Sequence, residues 1–453
     1  MANRTSILRS IKQVPGIVPI GILSCVLLTS ASAQEGGVGS TTSQSSGLTT
    51  DIQDPEVQLR VIQQKREIPT HALFRTSPLT PVRQRTHELE RRVYEATDIK
   101  FGTVLNTLLQ GLSDEIPGED DFGMASALSF LGTWDVCNQG SPNQGQVTFE
   151  LQGRWDWGTT APTSLGPDSL GSLTFTANPF DAYTPTFLVR NLYWRQGGRE
   201  VGTPWVYRIG RITPDAILGT SAHINGYTTY LPVAGTGPFA IALPDSGLGW
   251  VGGWFINDRL TVAGLVSDAN ADRFDFGDID EGDLFTALEL QVKVLPLTEN
   301  AGHSKVTIWH SDGTKFGDVI NGSTGQEGWG VFIKHEQELT CDGRAVALAR
   351  WGRSYKDSAV YEQQAAAHLL LYDPFNSGCY QDDLFNADLM GVAYNWVQPT
   401  GVPRDESNVE MFYRFPLFPY VDVTLSYQAI FNPALDPSND YGSAFSFRLR
   451  SLW

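Results

Sequence analysis

A chain of 453 residues with 45 Gly, 25 Pro, 12 Trp, 15 Tyr and 23 Phe is turn-rich and aromatic-rich, and a hydrophobic content of 41% is too low for a bundle of membrane helices. The formal net charge of -18 argues against nucleic acid as a partner, because phosphate binding needs clustered Lys and Arg. Large soluble β-proteins and transmembrane barrels both fit this profile, since only alternate residues of a barrel strand face lipid.

The first 33 residues read as an export signal. Arg4, Arg9 and Lys12 form a basic start, Ile17 to Thr29 is apolar, and Ala31-Ser32-Ala33 offers a small-residue cleavage site before Gln34. Cys25 sits where a lipoprotein cysteine could, but apolar Val26-Leu27-Leu28 follows it, which favours the later cleavage. Residues 34 to about 50 are rich in Gly, Ser, Thr and Gln and read as a disordered tether. Two amphipathic pieces follow, Pro55 to Glu67 with Val57, Val61 and Ile62 at near-helical spacing, and Thr86 to Tyr94. Residues 34–97 are therefore expected to form a partly helical periplasmic extension, with the barrel domain at 98–453.

From residue 98 onward short alternating segments recur. The period of two is clearest late in the chain: Leu288, Leu290 and Val292 oppose Glu289, Gln291 and Lys293, and Val331 and Ile333 oppose Lys334 and Glu336. Val409, Met411 and Tyr413 likewise oppose Glu410 and Arg414, and Tyr427 opposes Gln428. The expected strands are 98–111, 124–136, 146–157, 184–195, 204–211, 248–257, 259–268, 284–295, 304–312, 329–340, 343–352, 362–371, 388–397, 407–416, 421–430 and 442–453. Segment 170–178 also fits a strand, so a count of sixteen is one partition of the chain. Tight connections at Asn257-Asp258, Cys341-Asp342-Gly343 and Pro416 to Pro419 alternate with long ones at 158–183, 212–247, 269–283, 313–328, 398–406 and 431–441. Short turns on one side and long loops on the other describe an all-β, antiparallel transmembrane barrel of about 16 strands.

The last strand alternates Phe445, Phe447 and Leu449 with Ser446, Arg448 and Arg450, and runs into a terminal Trp453. It is expected to close the barrel on the strand near 98–111. Of the three cysteines left after cleavage, Cys341 and Cys379 fall in neighbouring turns on one side and are a candidate disulfide; Cys137 is the leftover thiol. Most Trp and Tyr, among them Trp134, Trp157, Trp254 and Trp309, lie near expected strand ends and are assigned to interface girdles.

Several segments resemble the carbohydrate-selective porins of the OprB family. They are Trp205-Val206-Tyr207-Arg208-Ile209-Gly210-Arg211-Ile212-Thr213-Pro214-Asp215, then Gly247-Leu248-Gly249-Trp250, Ser267-Asp268-Ala269-Asn270-Ala271 and Ala349-Arg350-Trp351-Gly352-Arg353. The end resembles that family too, in Glu410 to Phe415, Ser426 to Pro433 and the aromatic last strand. The resemblance spans about residues 98 to 453 and leaves the extension unexplained. It implies a sixteen-stranded barrel in the outer membrane of a diderm bacterium, passing sugars by passive diffusion, with one loop folded inward. It implies outer-membrane lipid around the barrel and engagement of the C-terminal strand by the barrel assembly machinery. Trimers are common among porins, although no interface is legible in the sequence. The longest connection, 212–247, is the candidate constriction.

A channel for sugars needs paired donors and acceptors with aromatic surface, and affinity weak enough for release. By parity the lumen set is Glu289, Gln291, Lys293, Lys334, Glu336, Glu410, Arg414, Gln428, Arg448 and Arg450. Arg208 and Arg350 join it by resemblance as well as by pattern, and Asp215, His223, Asn225, Tyr227 and Tyr230 are available from the loop. Arg350 shares its parity with apolar Val346 and Leu348, so a bulge or an outward orientation is expected there. No cofactor or metal motif is present, and no His neighbours a nucleophile motif, so a channel is expected rather than an enzyme. A secreted soluble β-protein and a porin for another small solute, such as an organic acid or phosphate, remain the alternatives.

Overall fold

The computed structural model describes residues 54–67, 72–181, 187–257, 259–272, 274, 276–277, 282–293, 302–313, 322–375 and 387–453. The expected signal at 1–33, the tether at 34–50 and Cys379 lie outside them. Alternation of side chains along the chain builds sixteen strands: β1 (Ile99–Ser113), β2 (Phe122–Cys137), β3 (Gly145–Asp156), β4 (Phe187–Gly197), β5 (Trp205–Ile212), β6 (Gly247–Asn257), β7 (Leu260–Asp268) and β8 (Leu284–Val292). They continue as β9 (Gly302–Ser311), β10 (Gly328–Glu338), β11 (Ala345–Tyr355), β12 (Tyr361–Tyr372), β13 (Leu389–Pro399), β14 (Glu406–Phe418), β15 (Val421–Phe431) and β16 (Tyr441–Leu452). Each pairs antiparallel with its neighbours in sequence order, and the sheet closes β1 on β16. The closing ladder runs from Val104 opposite Leu452 to Ser113 opposite Ser443, the pairing expected for the C-terminal strand. Segment 170–178 is not a strand; it lies in the β3–β4 connection.

Closure leaves no edge to aggregate and gives every strand two faces. One face carries exposed apolar side chains all round: Leu151, Ile209, Leu290, Ile308, Ile333, Leu369, Val392, Met411, Leu425 and Phe447. Trp134, Trp157, Trp250, Trp254, Trp329 and Trp351 extend this belt. A water-soluble protein does not expose such a girdle, whereas hydrocarbon solvates it. No helix among the described residues is long and apolar enough to cross a membrane, and the apolar belt lies on strands. Trp309 departs from its expected girdle role. It is 4% exposed and stacks on Phe285 with ring centroids 6.3 Å apart, because its parity in β9 is that of Lys305 and Thr307.

Even-numbered strands end at the rim that also holds both ends of the sheet (the terminal rim), and odd-numbered strands end at the opposite, loop rim. Helix α2 (Thr80–Thr97) lies at the terminal rim. Leu73 and Phe74 before it donate backbone N–H groups to the Pro416 and Leu417 carbonyls at 2.9 and 3.0 Å. Helix α1 (Pro55–Glu67) has the bounds its sequence signals set. Asp54 caps it, accepting the Glu56 N–H at 2.9 Å, and Pro55 occupies the first turn, where its missing N–H costs nothing. Cys341 is exposed in the β10–β11 turn, and its expected partner Cys379 lies outside the described residues.

Candidate channel interior

Both long connections at the first half of the loop rim fold inward. The β5–β6 connection is buried almost throughout: Leu218, Tyr230, Ala234, Ala240 and Ile241 are all fully covered. The β3–β4 connection buries Leu165, Leu170, Phe175 and Phe180 and joins the other loop through Val233 N–H on the Phe175 carbonyl at 3.2 Å. A segment that leaves the sheet yet goes inside must find partners for its backbone. The barrel wall provides them.

Wall cations take up loop carbonyls. Arg448 donates to the carbonyls of Gly226 and Thr229, both at 2.7 Å; Arg414 reaches Thr228 O at 3.2 Å and Arg350 reaches Ala234 O at 3.3 Å. Lys334 donates to the Thr220 carbonyl, and Lys305 to the Thr220 hydroxyl at 2.6 Å. Wall carboxylates and amides complete the set. Glu289 accepts Gly219 N–H at 2.7 Å, Glu410 accepts Leu231 N–H at 2.9 Å, and Gln428 donates to Thr176 O at 2.6 Å. Glu406 accepts Leu173 and Thr174 N–H at 2.8 and 3.0 Å. The partners come from β8 round to β16, which places the loops in the lumen and these side chains on its wall.

Arg208, Glu289, Gln291, Lys334, Glu336, Arg350, Glu410, Arg414, Gln428, Arg448 and Arg450 are each 0–7% exposed. They are inward, Arg350 against the expectation from its apolar neighbours, but they contact protein rather than open water. Asp215 keeps more exposure and pairs with Arg190 at 3.3 Å; Lys293 lies just past β8 and is exposed. Arg350 needs no bulge. The β10–β11 and β11–β12 ladders are unbroken around it, and Val346 and Leu348 point inward beside it, at 1% and 3% exposure. The inner wall is apolar there because Ile224 and Tyr230 of the loop pack on it with Leu370 and Leu389. Apolar parity thus marks lipid only where nothing apolar fills the lumen.

The loop residues singled out from sequence are anchors. His223 meets the Tyr372 hydroxyl at 2.8 Å, and the Tyr230 hydroxyl lies 2.9 Å from the carbonyls of both Leu369 and Val392. Gly391 makes room for it, since a Cβ there would sit 2.6 Å from that oxygen. Asn225 accepts Tyr227 N–H at 2.7 Å and shapes the loop tip.

Sequence reasoning missed the partner of Arg208. It is α1, which enters the lumen at the terminal rim with its N-terminus innermost. Arg208 is 2.5 Å from Asp54 and 3.5 Å from Glu56; Arg195 is 3.4 Å from Glu56. Tyr193 and Thr148 donate to Glu56 at 3.1 and 3.2 Å. Burial lifts the Asp54 carboxyl above its ordinary value despite Arg208. Burial acts on Glu56 too, but Arg195 and Arg208 outweigh it and hold that carboxyl below its ordinary value. Leu59 and Ile62 pack with Val104, Leu131 and Leu452. Burying each such side chain contributes roughly 1.5–3 kcal/mol. A cavity of about 230 Å³ remains beside the helix, lined by Glu56, Arg60, Lys100, Asp135, Gln146 and Arg195 among others.

No protein-family model and no curated protein matches the sequence. Among solved structures, OprB of Pseudomonas putida in its high-pH form superposes with a TM-score of 0.64 at 12% identity, over 81% of this chain and 97% of that one. The low-pH form of that protein gives a TM-score of 0.49 at 11% identity, covering 81% and 96%. A mutant porin of Rh. blastica gives 0.45 at 10% identity, covering 78% and 100%. The first of these shows a shared fold, a porin-type barrel; the other two are too distant to add to it.

Proposed function

We propose that the chain is an outer-membrane porin through which small sugars diffuse passively. The observation that carries the reading is a closed sixteen-stranded barrel whose outer face is an apolar belt and whose inner face is polar, with two long loops folded inside it. Sugar as the solute rests on two supports. The segments around Arg208, Arg350 and Glu410 resemble carbohydrate-selective porins of the OprB family, and the chain shares the fold of an OprB. In addition, cations pair with carboxylates inside the barrel (Lys305 with Glu289, Lys334 with Glu336, Arg154 with Asp181), so charged groups of both signs line the interior. Removal of residues 1–33 on export, assembly through the strand ending at Trp453, and a homotrimer in the membrane belong to the same proposal.

Planar-bilayer recording of the mature chain tests it. Discrete conductance that falls as a neutral sugar is titrated in is the expected result. Conductance indifferent to sugars but reduced by an organic acid or phosphate would favour a porin for those solutes. No conductance from the mature chain or from any variant that loosens its interior would remove the channel reading.

A further inference from the structure

We propose that the inner wall of β3–β5 is a binding site for the chain's own N-terminal helix, and that α1 seated there is a plug that narrows the channel at the terminal rim. The inference rests on the channel reading and concerns how that channel is opened.

Helix α1 buries one broad face against the wall: Asp54, Gln58, Leu59, Val61 and Ile62 are 0–5% exposed. Its two ends of attachment differ in kind. At the inner end the carboxylates of Asp54 and Glu56 meet the forks of Arg208 and Arg195, with hydroxyls of Thr148 and Tyr193 completing the shell. These are four wall groups from three adjacent strands, converging on two carboxylates two residues apart at the start of the helix. At the outer end Leu59 and Ile62 reach β1, β2 and β16 on another part of the wall. The helix therefore lies along six contiguous strands of the inner wall, from β16 through β1 to β5.

The wall is shaped for it. Gly102 of β1 points inward with the parity of Val104, and a Cβ placed there would stand 2.8 Å from Ile62 Cδ1 and 3.2 Å from the Trp453 carbonyl oxygen. A side chain at this position would push the helix out. The barrel needs none of these contacts to close, since its ladder is complete from β1 to β16 without α1. Charged groups on a lumen wall are soluble in lumen water when the helix leaves, so release strands no buried charge. Beside the bound helix lies a cavity of about 230 Å³, below the ~300–1,000 Å³ of ordinary small-molecule sites.

The test uses the full mature chain in planar bilayers. Asp54→Ala with Glu56→Ala removes the helix side of the clamp, and Gly102→Leu attacks the docking from the wall. The clamp variant is expected to raise open probability at least about tenfold, since losing one partner of a buried ion pair exceeds that factor, and Gly102→Leu is expected to raise it through its clash with Ile62. In a background with Cys137, Cys341 and Cys379 replaced by Ser, Ile62→Cys with Gly102→Cys is expected to cross-link. The cross-linked clamp variant is expected to fall back to the wild-type level and to recover on reduction. Failure of the cross-link to form, in chains that run as folded, heat-modifiable barrels, would overturn the docking. A cross-link that forms but leaves conductance equal in wild type, clamp variant and Gly102→Leu would overturn the plug while the channel stands. Silence from every variant, reduced or oxidised, would instead bring down the channel reading and the plug with it.

Discussion

Of the pieces of the chain that occupy the lumen, the β5–β6 connection and helix α1 are held by different chemistry. The β5–β6 connection is fastened through its backbone: Arg448, Arg414, Arg350, Lys334, Glu410 and Glu289 each engage a peptide group of the loop, from β8 round to β16. Helix α1 satisfies its own backbone and is fastened through side chains, at one ionic cluster and one apolar patch. Removing the loop would leave wall carboxylates, guanidinium groups and apolar Val346, Leu348, Leu370 and Leu389 without cover. Removing the helix uncovers far less. The loop is part of the fold, and the helix is a ligand of it.

Breaking that contrast gives graded outcomes. Deleting 216–240 is expected to have the largest effect, enlarging the pore several-fold in single-channel conductance and lowering the temperature at which the barrel band unfolds on gels. Unchanged conductance would remove this loop as the constriction. Next comes Arg208→Ala, which leaves Asp54 buried and unpaired at a cost of about 3–5 kcal/mol to the docked helix. Limited trypsin digestion should then cut at Arg60 while the barrel's heat stability stays at the wild-type value; protection of Arg60 in the variant would argue against the clamp. Arg448→Ala should do the reverse, costing roughly 1–3 kcal/mol for each of the two loop carbonyls it orphans. Its barrel should unfold at lower temperature with α1 still protected, and Arg448→Lys should restore little because an ammonium cannot span both oxygens. The smallest effect is expected from Arg91→Ala on α2. Its pair with Glu95 at 2.9 Å is more than half exposed, and such a pair contributes no more than about 0.5 kcal/mol, so heat stability and protection of Arg60 should both stay put.

Much of this architecture was legible. The alternation of Leu290 with Glu289 and Gln291, or of Phe447 with Ser446 and Arg448, reflects two solvents that differ across a single sheet, and it located all sixteen strands and the closing pair. Where the rule misled, the lumen itself was apolar. Leu170 to Phe175 looked like a strand because its apolar residues recur, yet Leu170 packs on Ile430 and Ala444, and Phe175 on Val233 and Tyr361, inside the barrel. Trp309 and the Arg350 neighbourhood misled for the same reason. A tract of apolar residues says that water is absent, without saying whether lipid or protein replaces it.

Sequence by itself determined the strand order, the inward parity of Arg208, Glu289, Lys334, Glu410 and Arg448, and the start of α1 at Asp54-Pro55, because these depend on neighbours a few residues apart. Only the tertiary structure decided what those inward groups touch. The Arg208–Asp54 contact joins residues 154 positions apart, and the Arg448–Gly226 contact joins residues 222 apart. No local pattern encodes such a meeting. It follows from the barrel bringing a helix and a loop into one enclosed space, where every charge and every peptide group must find a partner.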